Sequence, residues 1–164
     1  MTSRERIRAA LARQRPDRVP AAFEAVGTVT SRLLKVYGFT SMDALWERYQ
    51  IDIIPASPRY IGPELPTFKD DQGRTVTTSY WGYQDTLHTT DIDNYNITTY
   101  FTMNDVRTVE DVERCRFPDP DWFDYSAVAE LCDRYPDKAI ITGHEGPFQF
   151  VTFLMEMDKF FMLM

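Results

Sequence analysis

The stretch that most constrains this chain is Ala139-Ile140-Ile141-Thr142-Gly143-His144-Glu145-Gly146-Pro147-Phe148-Gln149-Phe150-Val151. A short β-branched run reaches a glycine, turns, and opens an apolar segment at a proline. Proline is well placed in a first helical turn, where its missing N–H would have no intrahelical partner anyway. Gly143 and Gly146 supply the backbone freedom for a tight strand-to-helix crossing. The stretch therefore reads as a βα unit, and in βα architectures chemistry gathers just after the strand. His144 and Glu145 occupy that place and are the candidate catalytic residues, as an acid/base or as a substrate hydrogen-bonding group. Adjacent residues on extended chain point opposite ways, so one of the two faces a pocket, and which one stays open. The bland alternative is a polar loop pair satisfied by neighbouring backbone.

Upstream, Thr2 and Glu5 have capping-box spacing before an apolar stripe of Ile7, Ala10 and Leu11, and Pro16 closes this first helix. Residues 18–24 read as a first strand with Glu24 near its end, although Pro20 weakens that assignment. Leu33, Leu34 and Tyr37 fall on one helical face closed by Gly38. Thr40 and Asp43 suggest a capping box for a helix carrying Met42, Leu45, Trp46 and Tyr49. Residues 51–56 form a second, buried strand that delivers Arg59 and Tyr60 to a loop. Residues 66–104 change character: a turn at Asp70-Asp71-Gln72-Gly73 separates runs rich in β-formers, which predicts a small antiparallel insertion. A short helix opened by Thr108, a proline-rich loop at 117–122 and an amphipathic helix from Tyr125 to Tyr135 then lead to the opening stretch.

Length and charge narrow the function classes. The 164 residues suffice for one core, but a complete (β/α)8 barrel takes about 250 residues. A net charge of −7 argues against nucleic-acid and anionic-membrane partners. Cys115 and Cys132 lack CxxC or zinc spacing and read as free thiols of a soluble, cytoplasmic protein. No apolar run approaches the roughly 20 residues needed to span a bilayer. Gly-rich phosphate loops and nucleophile elbows are missing from the sequence.

Two motifs carry a family resemblance: Gly143-His144-Glu145-Gly146-Pro147-Phe148 with Leu154 and Glu156 beyond it, and the opening Ser3-Arg4-Glu5-Arg6 through Pro16-Asp17-Arg18-Val19-Pro20. Both resemble the uroporphyrinogen decarboxylase superfamily, which includes tetrapyrrole decarboxylases and corrinoid-linked methyltransferases. The resemblance spans the chain but matches the amino-terminal half of such proteins. It implies a partial (β/α)8 TIM barrel over residues 1–164, with 66–104 as a β-rich insertion. The uncapped apolar ending is in keeping with a front part of a larger protein. Half of a parallel barrel leaves strand edges unpaired, so the chain alone is expected to be poorly soluble or self-associated.

The resemblance also frames the activity. The decarboxylases carry a Met-Arg-Gln-Ala-Gly-Arg run after their first strand, whose arginines hold substrate carboxylates. This chain has Phe23-Glu24-Ala25-Val26-Gly27-Thr28 there, and a carboxylate repels a polycarboxylate substrate. Methyl transfer from a methyl-corrinoid protein to a thiol is left as the favoured expectation. Zinc for that reaction is held, in the family, by a His-x-Cys pair and a later Cys in the other half, so no metal is expected within this chain. Glu24, Arg59, Tyr60 and Phe148 are the candidate substrate-binding residues. Arg59 pairs a substrate carboxylate or forms a structural ion pair with Glu24. A cofactor-free uroporphyrinogen decarboxylase and a non-catalytic binding or assembly barrel remain the alternatives.

Overall fold

The computed structural model describes residues 1–91, 94–143 and 146–164. The chain is mixed α/β and divides into two compact units, Met1–Arg59 with Asp124–His144, and Tyr60–Phe123 with Glu145–Met164.

The first unit begins with α1 (Ser3–Leu11), whose capping box is formed as the spacing predicts: the Thr2 side chain accepts from the Glu5 N–H and Glu5 reaches back. The helix ends well before Pro16, at Leu11, and the chain turns through Arg13 at φ 56°. Helix α2 (Gly27–Tyr37) stops at Gly38, whose φ of 66° is the left-handed cap that glycine adopts without a Cβ penalty. Helix α3 (Met42–Arg48) starts after Ser41 with no side-chain cap, so the Thr40–Asp43 box does not form. Asp43 is engaged elsewhere, by the Arg134 guanidinium at 2.5 Å and by the Tyr135 hydroxyl.

Strand β1 (Ile53–Ala56) pairs in parallel with the strand that precedes Gly143, Ala139–Thr142, in the register Ile53↔Ala139 to Ala56↔Thr142. The first strand expected at 18–24 does not form. Pro20 has no N–H to offer a ladder, and the Ala21 N–H is taken by the Asp52 carboxylate at 2.8 Å. One backbone bond, from the Asp52 N–H to the Ala21 carbonyl, remains of that pairing. The amphipathic helix over Ser126–Arg134 ends at Tyr135, which meets Trp46 edge-on at 6.0 Å. Ala9, Leu45, Ile51, Ile54 and Ala56 are this unit's buried apolar residues.

The second unit holds an antiparallel sheet where the runs of β-formers predict strands. Strands β3 (Thr67–Lys69), β4 (Thr75–Thr78), β5 (Gln84–Thr89) and β6 (Asn94–Tyr100) form a sheet in that order. Gly73, at φ 76°, closes the β3–β4 turn with its N–H on the Asp70 carbonyl. A small sheet of two strands joins β2 (Arg59–Tyr60) and β7 (Phe123–Asp124). Helix α4 (Val109–Glu113) has a complete Thr108–Asp111 capping box; next in chain order come the first unit's helix and strand described above, α5 (Ser126–Arg134) and β8 (Ala139–Thr142). Helix α6 (Pro147–Leu154) has its proline in the first turn. It packs on the insertion through Trp81–Phe150 at 4.7 Å and Tyr83–Phe153 at 5.9 Å. The apolar ending is broken: Met155 is extended, Glu156 takes the Asn104 amide at 3.0 Å, and α7 (Met157–Leu163) follows. Among the described residues the strands do not close into a barrel.

Candidate functional site

Alternation along β1 divides its side chains between two environments. Ile54 and Ala56 are buried in the core, while Ile53 and Pro55 line a cavity of about 340 Å³ with Ile141 of β8. The register explains the company, because Pro55 is opposite Ile141. Phe23, Glu24 and Ala25 supply another part of the lining, and Thr30 of α2 and Met42 of α3 complete it. The lining is mostly apolar, and its one ionisable group is the exposed Glu24 carboxylate. Among the lining residues there is no cationic side chain.

What holds residues 22–25 against the strand is an ionic network next to the cavity. Asp52, fully buried, accepts from Arg6 Nη1 at 2.5 Å, from both Arg18 Nη atoms at 2.7 and 2.9 Å, and from the Ala21 N–H at 2.8 Å. Arg6 also forks onto Asp17 at 2.6 and 2.8 Å. The Asp17-Arg18 pair of the opening motif thus interlocks with the Arg6–Asp52 pair. Burial works against ionisation of Asp52, yet its hydrogen bonds to Ala21, Ser3, Arg6 and Arg18 outweigh it and hold the carboxyl below its ordinary range. The hydrogen bond from Arg6 lowers Asp17 strongly, and the one to Asp17 raises Arg6. With every oxygen of Asp52 engaged, these charges position backbone rather than substrate.

The sequence candidates fall in several places. Glu24 lines the cavity beside β1. Arg59 extends into solvent and pairs with Asp124 at 2.5 Å, its observed partner in place of the expected Glu24. Tyr60 donates its hydroxyl to the Pro63 carbonyl and lines a different cavity, in the second unit. Phe148 is exposed on α6, against Phe160 at 5.6 Å and Phe161 at 5.9 Å. His144 and Glu145 lie outside the described residues. Gly143, just before them, has φ 66°, the left-handed conformation the strand-to-helix turn demands of glycine.

Among the described residues no three of His, Cys, Asp and Glu come together as a metal site. No described helix is long and apolar enough to cross a membrane. No protein-family model, curated protein or solved structure matches the chain.

Sequence reasoning missed the buried Asp52 hub and the second cavity's Glu64, Tyr80, Arg116 and Trp122. A signal for the hub existed: an aspartate at the mouth of an apolar strand needs cationic partners, and Arg6 and Arg18 are available in the opening motif. The second cavity joins residues spread over 60–122, and no local pattern encodes that.

Proposed function

We propose that this chain is the amino-terminal part of a uroporphyrinogen-decarboxylase-like (β/α)8 barrel enzyme, acting in the cytoplasm in corrinoid-linked methyl transfer to a thiol. The observation that supports the reading best is the lining beside β1: apolar walls, one carboxylate at Glu24, and no arginine or lysine. A tetrapyrrole with many carboxylates needs cationic partners in its pocket, and this lining offers the opposite charge. An uncharged or cationic group is accommodated instead. The parallel β1–β8 pair, followed by the left-handed Gly143 and by Pro147 in the first turn of α6, is in keeping with barrel βα units whose loops carry the chemistry.

In this reading Glu24 contacts the thiol substrate's polar end, and His144 or Glu145 acts from the βα turn. Zinc, which lowers a thiol's pKa to give the thiolate nucleophile, is supplied by residues beyond these 164. The encoding frame is then expected to continue past the Met164 codon and to carry a His-x-Cys pair followed by a later Cys. A continuing frame without that trio favours the decarboxylase or the non-catalytic barrel. A stop codon directly after Met164 rules out the zinc-dependent reading for a single chain.

A further inference from the structure

We propose that the second cavity binds a betaine-type zwitterion, a small molecule carrying both a quaternary ammonium and a carboxylate. The cavity belongs wholly to the second unit and measures about 290 Å³. Its walls include Tyr60, Tyr80, Trp81 and Trp122. Tyr60 meets Trp122 at 84° with centroids 6.4 Å apart, stacks on Tyr80 at 18° and 5.7 Å, and Tyr80 is tilted 43° from Trp81. Rings at such different inclinations wall a space rather than fill it. Gly62 makes the arrangement possible, since a Cβ there would lie 2.6 Å from Trp122 Cγ and 2.8 Å from Tyr60 Cζ.

The charges in the lining decide the ligand class. Glu64 and Arg116 both line the cavity, and neither forms an ion pair among the described residues. Arg116 lies over the Trp122 ring at 5.0 Å, which holds the guanidinium while leaving its N–H donors available. Aromatic faces attract methylated ammonium groups, and the Glu64 carboxylate adds to that attraction. Arg116 is suited to the ligand's carboxylate. A lone cation is repelled by Arg116 and a lone anion by Glu64, so a ligand bearing both charges uses the site fully. Thr78 and Thr102 line the same cavity, and their hydroxyls are buried without a hydrogen-bond partner among the described residues. A native fold seldom leaves such groups unsatisfied, and a bound carboxylate brings acceptors to them.

The test uses three probes on the purified chain, titrated by calorimetry and tryptophan fluorescence: glycine betaine, its uncharged-headgroup isostere 3,3-dimethylbutanoate, and tetramethylammonium, which keeps the cation and lacks the carboxylate. Glycine betaine is expected to bind roughly tenfold more tightly than either single-charge probe, the scale of one lost charged contact: the Arg116–carboxylate contact for tetramethylammonium and the aromatic–ammonium contact for 3,3-dimethylbutanoate. Arg116→Gln lowers its affinity to that of tetramethylammonium, and Glu64→Gln to that of 3,3-dimethylbutanoate. Both residues are exposed, so the far-ultraviolet circular dichroism stays unchanged. Equal affinities for the three probes, no saturable binding, or betaine binding indifferent to both substitutions overturns the proposal. None of these outcomes bears on methyl transfer, which concerns the other cavity.

Discussion

Arg6 and Asp52, 46 residues apart in the chain, meet at 2.5 Å, with the aspartate fully buried and the arginine nearly so. That contact ties α1 to the start of β1. Through the two bonds between Asp52 and Ala21 it also fixes the segment that carries Glu24 to the cavity.

Removing the buried anion strands two cations. Asp52→Asn keeps the shape but leaves Arg18 without a counter-charge and Arg6 with Asp17 alone. Breaking one side of a buried ion pair costs about 3 kcal/mol, a large share of the ~5–15 kcal/mol that holds a typical domain. Urea unfolding followed by circular dichroism checks this, and an unchanged midpoint rules out the hub. Arg18→Lys is expected to be milder, since it keeps the charge and loses the forked geometry.

The same carboxylates set the acid limit. Asp17 and Asp52 have folded pKa values below their unfolded ones. The unfolded chain therefore takes up their protons first, near pH ~4, and stability declines as pH falls from there through the folded values. Above that window their contribution is fully present. Asp111, whose carboxylate accepts from the Arg107 and Thr108 N–H groups, and Glu156, beside Lys159, are lowered as well and act in the same direction. Thermal midpoints are expected to stay level from pH 7 to about 5 and then drop, with a shallower drop in Asp52→Asn. A midpoint constant down to pH 3 contradicts the linkage.

Apolar exposure predicts self-association. Phe161, Met162 and Met164 are 53%, 85% and 84% exposed around α7, and on α2 Val36 is 72% exposed. Among the described residues the β1–β8 sheet has two strands, although parallel sheets normally occur covered and extended. Static light scattering should report masses that grow with concentration, and Phe161→Ser with Met162→Glu should reduce them. A monomer at every concentration argues that these faces are tolerated as they stand.

Local chemistry was the legible part of the sequence. The Thr2–Glu5 box, Gly38, the Asp70–Gly73 turn, the Thr108 cap and Pro147 each act within about one turn of chain, so short patterns suffice to find them. The 18–24 strand failed because its donors were decided by Asp52, far along the sequence. Asp43 failed as a cap for the same reason, being claimed by Arg134 and Tyr135. Of the candidate site, Glu24 is picked out by sequence as the end of an 18–24 strand; that strand does not form, yet the segment still brings Glu24 to the cavity beside β1. The cavity around it depends on β1–β8 register, and Arg59's partner Asp124 is 65 residues away.

The decisive measurement is methyl transfer itself: methylcobalamin and 2-mercaptoethanol with the zinc-loaded, full-length protein that carries this chain. Loss of the methylcobalamin spectrum is followed alongside methyl thioether formation. Turnover with equal amounts of demethylated corrinoid and thioether is expected, falling at least roughly tenfold in Glu24→Arg, about 1.4 kcal/mol at the transition state, and far less in Glu24→Gln. Absence of thioether, together with release of carbon dioxide from uroporphyrinogen, would instead make the protein a decarboxylase and remove the basis for reading the Glu24 cavity as a thiol site.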